Sequence, residues 1–319
     1  MTSYGYKLMS EEHGPCELVR NACRAEKAGF DFAAISDHYD PWLYSQGHSP
    51  LAWTVLGAIA AGTDRLGLAT AVTCPTIRYH PAVVAQFAAT LAVLSGGRFT
   101  LGLGAGEHLN EHVVGVGWPS PETRHQMLAE AIDIIRLLFE GGTVSYEGAH
   151  VIVDRARLWD VPESPPPLAV AAGGPKAAQL AGEKAAGLFA TEPLHELIET
   201  WKHAGGKGGL FAEVALCWAP DEAEAVRIAY ERFRFAALGW KVMAELPRPD
   251  GFEAATRWVR PQDVAQYVAC GPDAERHVAA VRKYVDAGFD HIVVIGVGPD
   301  QEGFLRFWEQ ELGPKLRRL

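Results

Sequence analysis

Residues 26–42 read "EKAGFDFAAISDHYDPW", and the fold turns on them. A helical stretch stops at Gly29, the residue suited to a left-handed C-cap. "FAAIS" (32–36) follows, apolar at consecutive rather than alternate positions, as a strand of a parallel sheet covered on both faces must be. Within six more residues come an acid, an imidazole, a phenol, a second acid, a proline and an indole. The same helix end, Ala-Gly-Phe-Asp and strand return in "VDAGFDHIVVIGV" (285–297), with a weaker copy in "EKAAGLFAT" (183–191). One unit reused around a ring produces such repeated junctions.

Outward from this stretch, the alternation continues. Further strands are predicted at 4–8, 66–72, 99–104, 167–172, 187–191 and 211–218, beside those at 32–36 and 291–297. Amphipathic helices are predicted at 15–29, 81–97 and 275–288, each ending in glycine. Eight strands with intervening helices imply an α/β fold, a (β/α)8 TIM barrel, as a single domain over residues 1–319. Two segments interrupt the pattern, 141–167 (a hairpin and loop) and 238–261. Both are expected as insertions over the barrel mouth, where long loops tend to be functional.

Composition narrows the function. The chain has 319 residues, 48% of them apolar, enough to fill a large core. No apolar run reaches the ~18 residues of a membrane helix. The first residues, "MTSYGYKLMSEEHGPCELV", carry neither a basic segment nor an apolar core, so no signal peptide is expected and the setting is cytoplasmic. The net charge of −10 argues against a nucleic-acid surface. Cys16, Cys23, Cys74, Cys217 and Cys270 are scattered without a Cys-x-x-Cys, which argues for reduced thiols rather than structural zinc or a disulfide framework. His80, His108, His112 and His125 show no metal-ligand spacing, and no metal is expected.

In a barrel the reactive groups lie just beyond the C-terminal ends of strands. Those positions hold Lys7, Ser10 and Glu11, then Asp37, His38 and Trp42, then residues 71–76. Next come Glu107, His108 and Asn110 in "GLGAGEHLNE", then "AAGGPK" (171–176), then Thr191 with Glu192. "GLGAG" alone is a poor dinucleotide fingerprint, lacking the full spacing and the ribose-binding acid.

Taken together, "GYKLMSEE", "SDHYDPW", "ATAVTCPTIRYHP", "GLGAGEHLNE", "AAGGPKAA" and "GPKLRRL" resemble the luciferase-like flavin and deazaflavin oxidoreductases. The similarity is greatest to the branch containing the coenzyme F420-dependent glucose-6-phosphate dehydrogenases, and it runs in order from the first strand to the last residue. It implies a TIM barrel with insertions, usually a homodimer, acting on a small-molecule substrate through the deazaflavin F420. By that resemblance His38 takes a proton from a substrate hydroxyl while the substrate carbon gives hydride to C5 of the deazaflavin. An imidazole, with an ordinary pKa of ~6.5, suits this task near neutrality. Trp42 packs near the reacting carbon, Glu107 is the acid that protonates the reduced ring, and Glu11 is a second carboxylate facing the pocket. Asp37 sits against the ring or orients its neighbours. Ala71-Val72 falls at a non-proline cis peptide behind the ring. Thr73, Thr76 and Asn110 hydrogen-bond the ring system, and Gly173 and Gly174 offer backbone N–H groups to the cofactor phosphate.

The resemblance weakens at the substrate. Thr191 matches a threonine of the sugar-phosphate site and Lys241 a lysine. Glu192 and Pro193 stand where a lysine-bearing loop is expected, and the family's arginine has no counterpart in "DVAQYVACGPDAE". A dianionic phosphate would be poorly compensated there, so an uncharged or less charged alcohol, sugar or carbonyl is expected instead of glucose 6-phosphate. Two other readings are an FMN-dependent luciferase-like monooxygenase and a non-catalytic deazaflavin-binding protein.

Overall fold

The computed structural model describes residues 2–184 and 187–319. Eleven strands occur there: β1 Ser3–Leu8, β2 Phe32–Ile35, β3 Gly67–Thr70, β4 Phe99–Leu103, β5 Val144–Glu147, β6 Ile152–Ala156, β7 Leu168–Ala171, β8 Gly187–Ala190, β9 Leu210–Cys217, β10 Ala269–Cys270 and β11 His291–Gly296. Parallel pairing runs β9-β11-β1-β2-β3-β4-β7-β8, and β8 pairs back onto β9. This closes the predicted eight-stranded barrel, and all eight expected strands are in it. β10 is a two-residue addition beside β9, outside the ring. The weaker third copy of the repeated junction includes residues 185 and 186, which lie outside the described residues.

The consecutive apolar residues have the predicted cause, since β2 and β8 are buried at every position. Their outer faces meet helices such as Pro15–Lys27, Pro81–Leu94 and Ala274–Ala287. Gly29 and Gly288 adopt the left-handed φ, +86° and +106°, that turns each helix into the next strand. Inside the barrel, Phe32, Phe189, Phe211 and Val293 form an apolar plug with Ala34, Ala69 and Ala169. Ala71, Val72 and Ala171 cap this plug towards the C-terminal rim and remain partly exposed. The rim therefore has a low, apolar floor.

The two interrupting segments are held differently. β5 and β6 form an antiparallel hairpin whose turn is gripped by the Glu130 carboxylate, through the backbone N–H groups of residues 149–151. That anchors it on the flank of helix Pro121–Phe139. The stretch 238–261 reaches the strand ends themselves. Trp240 packs on Gly173, Ala244 accepts a hydrogen bond from the His108 N–H, and Phe252 meets the Trp42 ring edge-on at 5.1 Å. Among the described residues, no helix is long and apolar enough to cross a membrane.

Candidate active site

β2 ends at Ile35, and the chain then leaves the sheet carrying Asp37, His38 and Trp42 across the rim. The His38 ring is buried. Its Nδ1 lies 3.1 Å from the Asp40 carbonyl oxygen, which can only accept, so Nδ1 carries the hydrogen. Nε2 is thereby left facing two carboxylates, Glu11 Oε1 and Glu107 Oε2, each at 3.4 Å. Trp42 touches the imidazole edge-on at 4.8 Å and is itself stacked on Phe235 at 5.0 Å, which fixes the indole.

The two carboxylates are not equivalent. Burial alone would push Glu11 up, but His38, Lys7 and the Ser36 hydroxyl, 2.7 Å from Oε2, outweigh it and hold Glu11 below its ordinary range. Burial pushes Glu107 up; His38 pulls against that, but the Glu11 charge adds to it, and the carboxyl stays above its ordinary range. Their surroundings thus push the two in opposite directions, Glu11 towards the anion and Glu107 towards the acid. Asn110 donates to Glu107 Oε2 at 2.9 Å, while its carbonyl oxygen accepts the Tyr39 N–H at 2.8 Å. One amide hydrogen of Asn110 is left for a ligand.

Asp37 is engaged by protein partners. Its carboxylate accepts from the Thr73 hydroxyl at 2.7 Å and pairs with Arg78 at 3.1 Å. Arg78 also donates its backbone N–H to Glu111 Oε2 at 2.6 Å. The loops after β2, β3 and β4 are joined through this one arginine, by its guanidinium to Asp37 and its backbone N–H to Glu111. Lys7 projects inside the barrel, bonds Glu213 and donates to the Ala71 carbonyl at 2.9 Å. The Ala71-Val72 peptide is cis, where the resemblance places one. Arg78, Glu111 and Glu213 are absent from the sequence-based list. Arg78 and Glu111 stand inside quoted motifs, but only their mutual burial marks them.

"GLGAG" has a steric reading. A Cβ on Gly102 would lie 2.0 Å from the Thr70 carbonyl oxygen. One on Gly106, at φ +84°, would lie 2.6 Å from the Cys74 sulfur. The glycines let the strand-3 loop lie directly on the end of β4.

The remaining predicted residues sit around this centre. Gly173 and Gly174 precede helix Pro175–Lys184, the geometry that suits an anion at a helix N-terminus. The Thr76 hydroxyl is 3.1 Å from the Cys74 sulfur. Thr191 is exposed and its carbonyl accepts the Tyr284 hydroxyl at 3.1 Å, and Lys241 is exposed. Among the described residues, none of their hydrogen bonds runs to His38, Glu11 or Glu107. A flat tricyclic ring fits what is present: the apolar floor of Ala71, Val72 and Ala171 beneath it, and the His38 and Glu107 side chains at its margin.

The profile of the luciferase-like monooxygenase family matches residues 3–291. The chain is similar to the F420-dependent glucose-6-phosphate dehydrogenase of Microbacterium testaceum, with 38% identity covering 99% of this chain and 97% of that protein. The enzyme of the same name from Amycolatopsis mediterranei is 36% identical over the whole of both chains. Among solved structures, an F420-dependent secondary alcohol dehydrogenase in complex with an F420-acetone adduct superposes with a TM-score of 0.92 at 29% identity, covering 99% of each chain. The coenzyme F420-dependent tetrahydromethanopterin reductase of Methanopyrus kandleri shares the fold, with a TM-score of 0.77 at 23% identity over 99% of both chains. The chain therefore belongs to the luciferase-like monooxygenase family, among its F420-dependent oxidoreductases.

Proposed function

We propose that this protein binds coenzyme F420 on the rim floor and uses it to interconvert an uncharged or weakly charged alcohol and its carbonyl compound. When bound, the deazaflavin supplies a hydride acceptor at C5. His38 Nε2 receives the substrate hydroxyl proton, and the Glu11 carboxylate compensates the imidazolium that results. Glu107 holds a proton at its carboxyl, oriented by the Asn110 amide. Trp42 closes the pocket against water and gives the reacting carbon an apolar wall. The observation that carries this reading is a single imidazole nitrogen 3.4 Å from each of two carboxyl groups whose surroundings push them in opposite directions.

The names of the sequence relatives favour a second reading, glucose 6-phosphate as the substrate. Charge at the rim supports the first. Most cations near the rim are already matched, Lys7 with Glu213, Arg78 with Asp37, Arg124 with Glu245 and Lys176 with Glu122, while Lys241 is exposed and has no ion pair among the described residues. Glu192 adds a negative charge beside Thr191. A phosphate dianion would meet few uncommitted partners there.

The test is loss of the oxidised deazaflavin absorbance with a panel of secondary alcohols, glucose and glucose 6-phosphate. Turnover on the neutral alcohols is the expected result, and comparable turnover on glucose 6-phosphate would establish the second reading. Titration with F420 and FMN separates the deazaflavin enzyme from an FMN monooxygenase. Binding of F420 without turnover across the panel would leave a carrier protein. In the same assay, His38→Ala is expected to abolish turnover while F420 binding persists. The homodimer and a cytoplasmic setting belong to this proposal as well, and sedimentation would test the first.

A further inference from the structure

Two buried nucleophilic side chains take no part in the site above: Cys217 at the end of β9 and Cys270 in β10. The short β10 strand lies outside the ring, and its pairing puts Cys270 directly beside Cys217 in register. In-register residues of neighbouring parallel strands share a face of the sheet, and strands ~4.8 Å apart fall inside the Cα range a disulfide can span. The Cys217 S–H donates to the Ala225 carbonyl oxygen at 3.2 Å and the Cys270 S–H to the Val268 carbonyl oxygen at 3.3 Å.

The surroundings distinguish the two thiols. Cys270 borders a surface groove of about 420 Å³, lined also by Tyr267, Arg276, Ala280 and Lys283. Arg276 donates to the Cys270 carbonyl at 2.8 Å and pairs with Glu222. The neighbouring Cys217 side chain, helped by Arg276 and opposed by burial, holds the Cys270 thiol below its ordinary range. The Cys270 side chain, with burial, pushes Cys217 up. Cys270 borders the groove and is the thiol an entering disulfide meets first, while Cys217 stands beside it in register to resolve the mixed disulfide.

We propose that Cys270 and Cys217 are a redox-active pair that closes to a disulfide when a small-molecule disulfide enters this groove. The Cys270 thiolate attacks one sulfur of that disulfide and expels the other half as a thiolate. Cys217 then gives up its proton, attacks the Cys270 sulfur and expels the second half. Two protein thiols become one disulfide, and one small disulfide becomes two thiols. Both cysteines belong to the apolar cluster that holds Trp42, Phe235 and Phe252, so the bridge would form within the packing behind the catalytic loop. This inference stands apart from the proposed activity, because its readout is covalent.

The experiment incubates the native protein with oxidised glutathione, then alkylates and digests it under denaturing conditions for mass spectrometry. The expected product is a peptide pair joined through residues 217 and 270, lost on treatment with dithiothreitol. It should form on the order of tenfold faster than Cys74, buried elsewhere, is modified, because local opening of β10 suffices. Cys270→Ser should leave Cys217 alkylatable. Full alkylation of both thiols after oxidation would overturn the proposal. So would modification of Cys74 at an equal rate, which would mean that the reaction proceeds through global unfolding.

Discussion

At the scale of single residues, the site depends on carboxyl groups whose surroundings push them in opposite directions. Glu107 is raised by burial, so its proton is retained to higher pH than an exposed glutamate would allow, and a step that needs that proton slows as pH climbs past the raised value. Glu107→Gln should therefore lower kcat by roughly 100-fold or more and flatten the alkaline limb of the kcat–pH profile. Glu12 offers a stability test next door. Burial pushes it to about 7, and its Oε1 is buried without a partner. A carboxyl whose folded pKa is raised stabilises the fold fully below its unfolded pKa, and that contribution is lost as pH rises through the folded value. Glu12→Gln should match the wild type in urea denaturation below about pH 4.5 and exceed it by on the order of 3 kcal/mol above about pH 7. His38, Trp42, Glu11 and Glu107 were legible in the sequence because their types are unusual at a strand end. The engagement of Asp37 and Asn110 with protein partners was not, because a side chain's hydrogen bonds depend on what other loops bring to it.

At the scale of elements, the catalytic rim is a set of loops braced against one another. Arg78 on the β3 loop holds Asp37 of the β2 loop and Glu111 of the β4 loop, all three inaccessible to solvent or nearly so. Removing one member of a buried ionic group leaves charges without partners, which costs roughly 3–5 kcal/mol. Arg78→Gln should lower stability by that order in urea and raise the KM for F420, while Arg78→Lys should recover part of both. The strands themselves were legible, since burial on two faces writes an unbroken apolar run. Helix ends were legible from their glycines. The glycines of "GLGAG" were visible, but their purpose was not, because the Thr70 carbonyl that excludes a Cβ from Gly102 comes from another strand.

At the scale of the whole molecule, closure brings the two ends of the chain together. β1 pairs with β11, the Tyr4 hydroxyl donates to the Leu316 carbonyl at 2.9 Å, and Trp308 stacks on Phe30 at 3.9 Å while fully buried. Trp308→Ala should cost roughly 3–5 kcal/mol by urea denaturation, since the cavity would open where the ring of strands is sealed. The repeated helix end and strand near residues 30 and 290 anticipated that seal, as the two junctions lead into β2 and β11, the strands that flank β1 on either side. The amino-acid sequence by itself determined the barrel, its strands and the chemical types at its rim, because periodicity and residue type are local properties of the chain. Which carboxyl is pushed up and which held down, which arginine braces the loops and which cysteines stand in register were decided only by the tertiary structure. Each depends on burial and on the charge of a neighbour distant in sequence, and neither exists until the chain has closed.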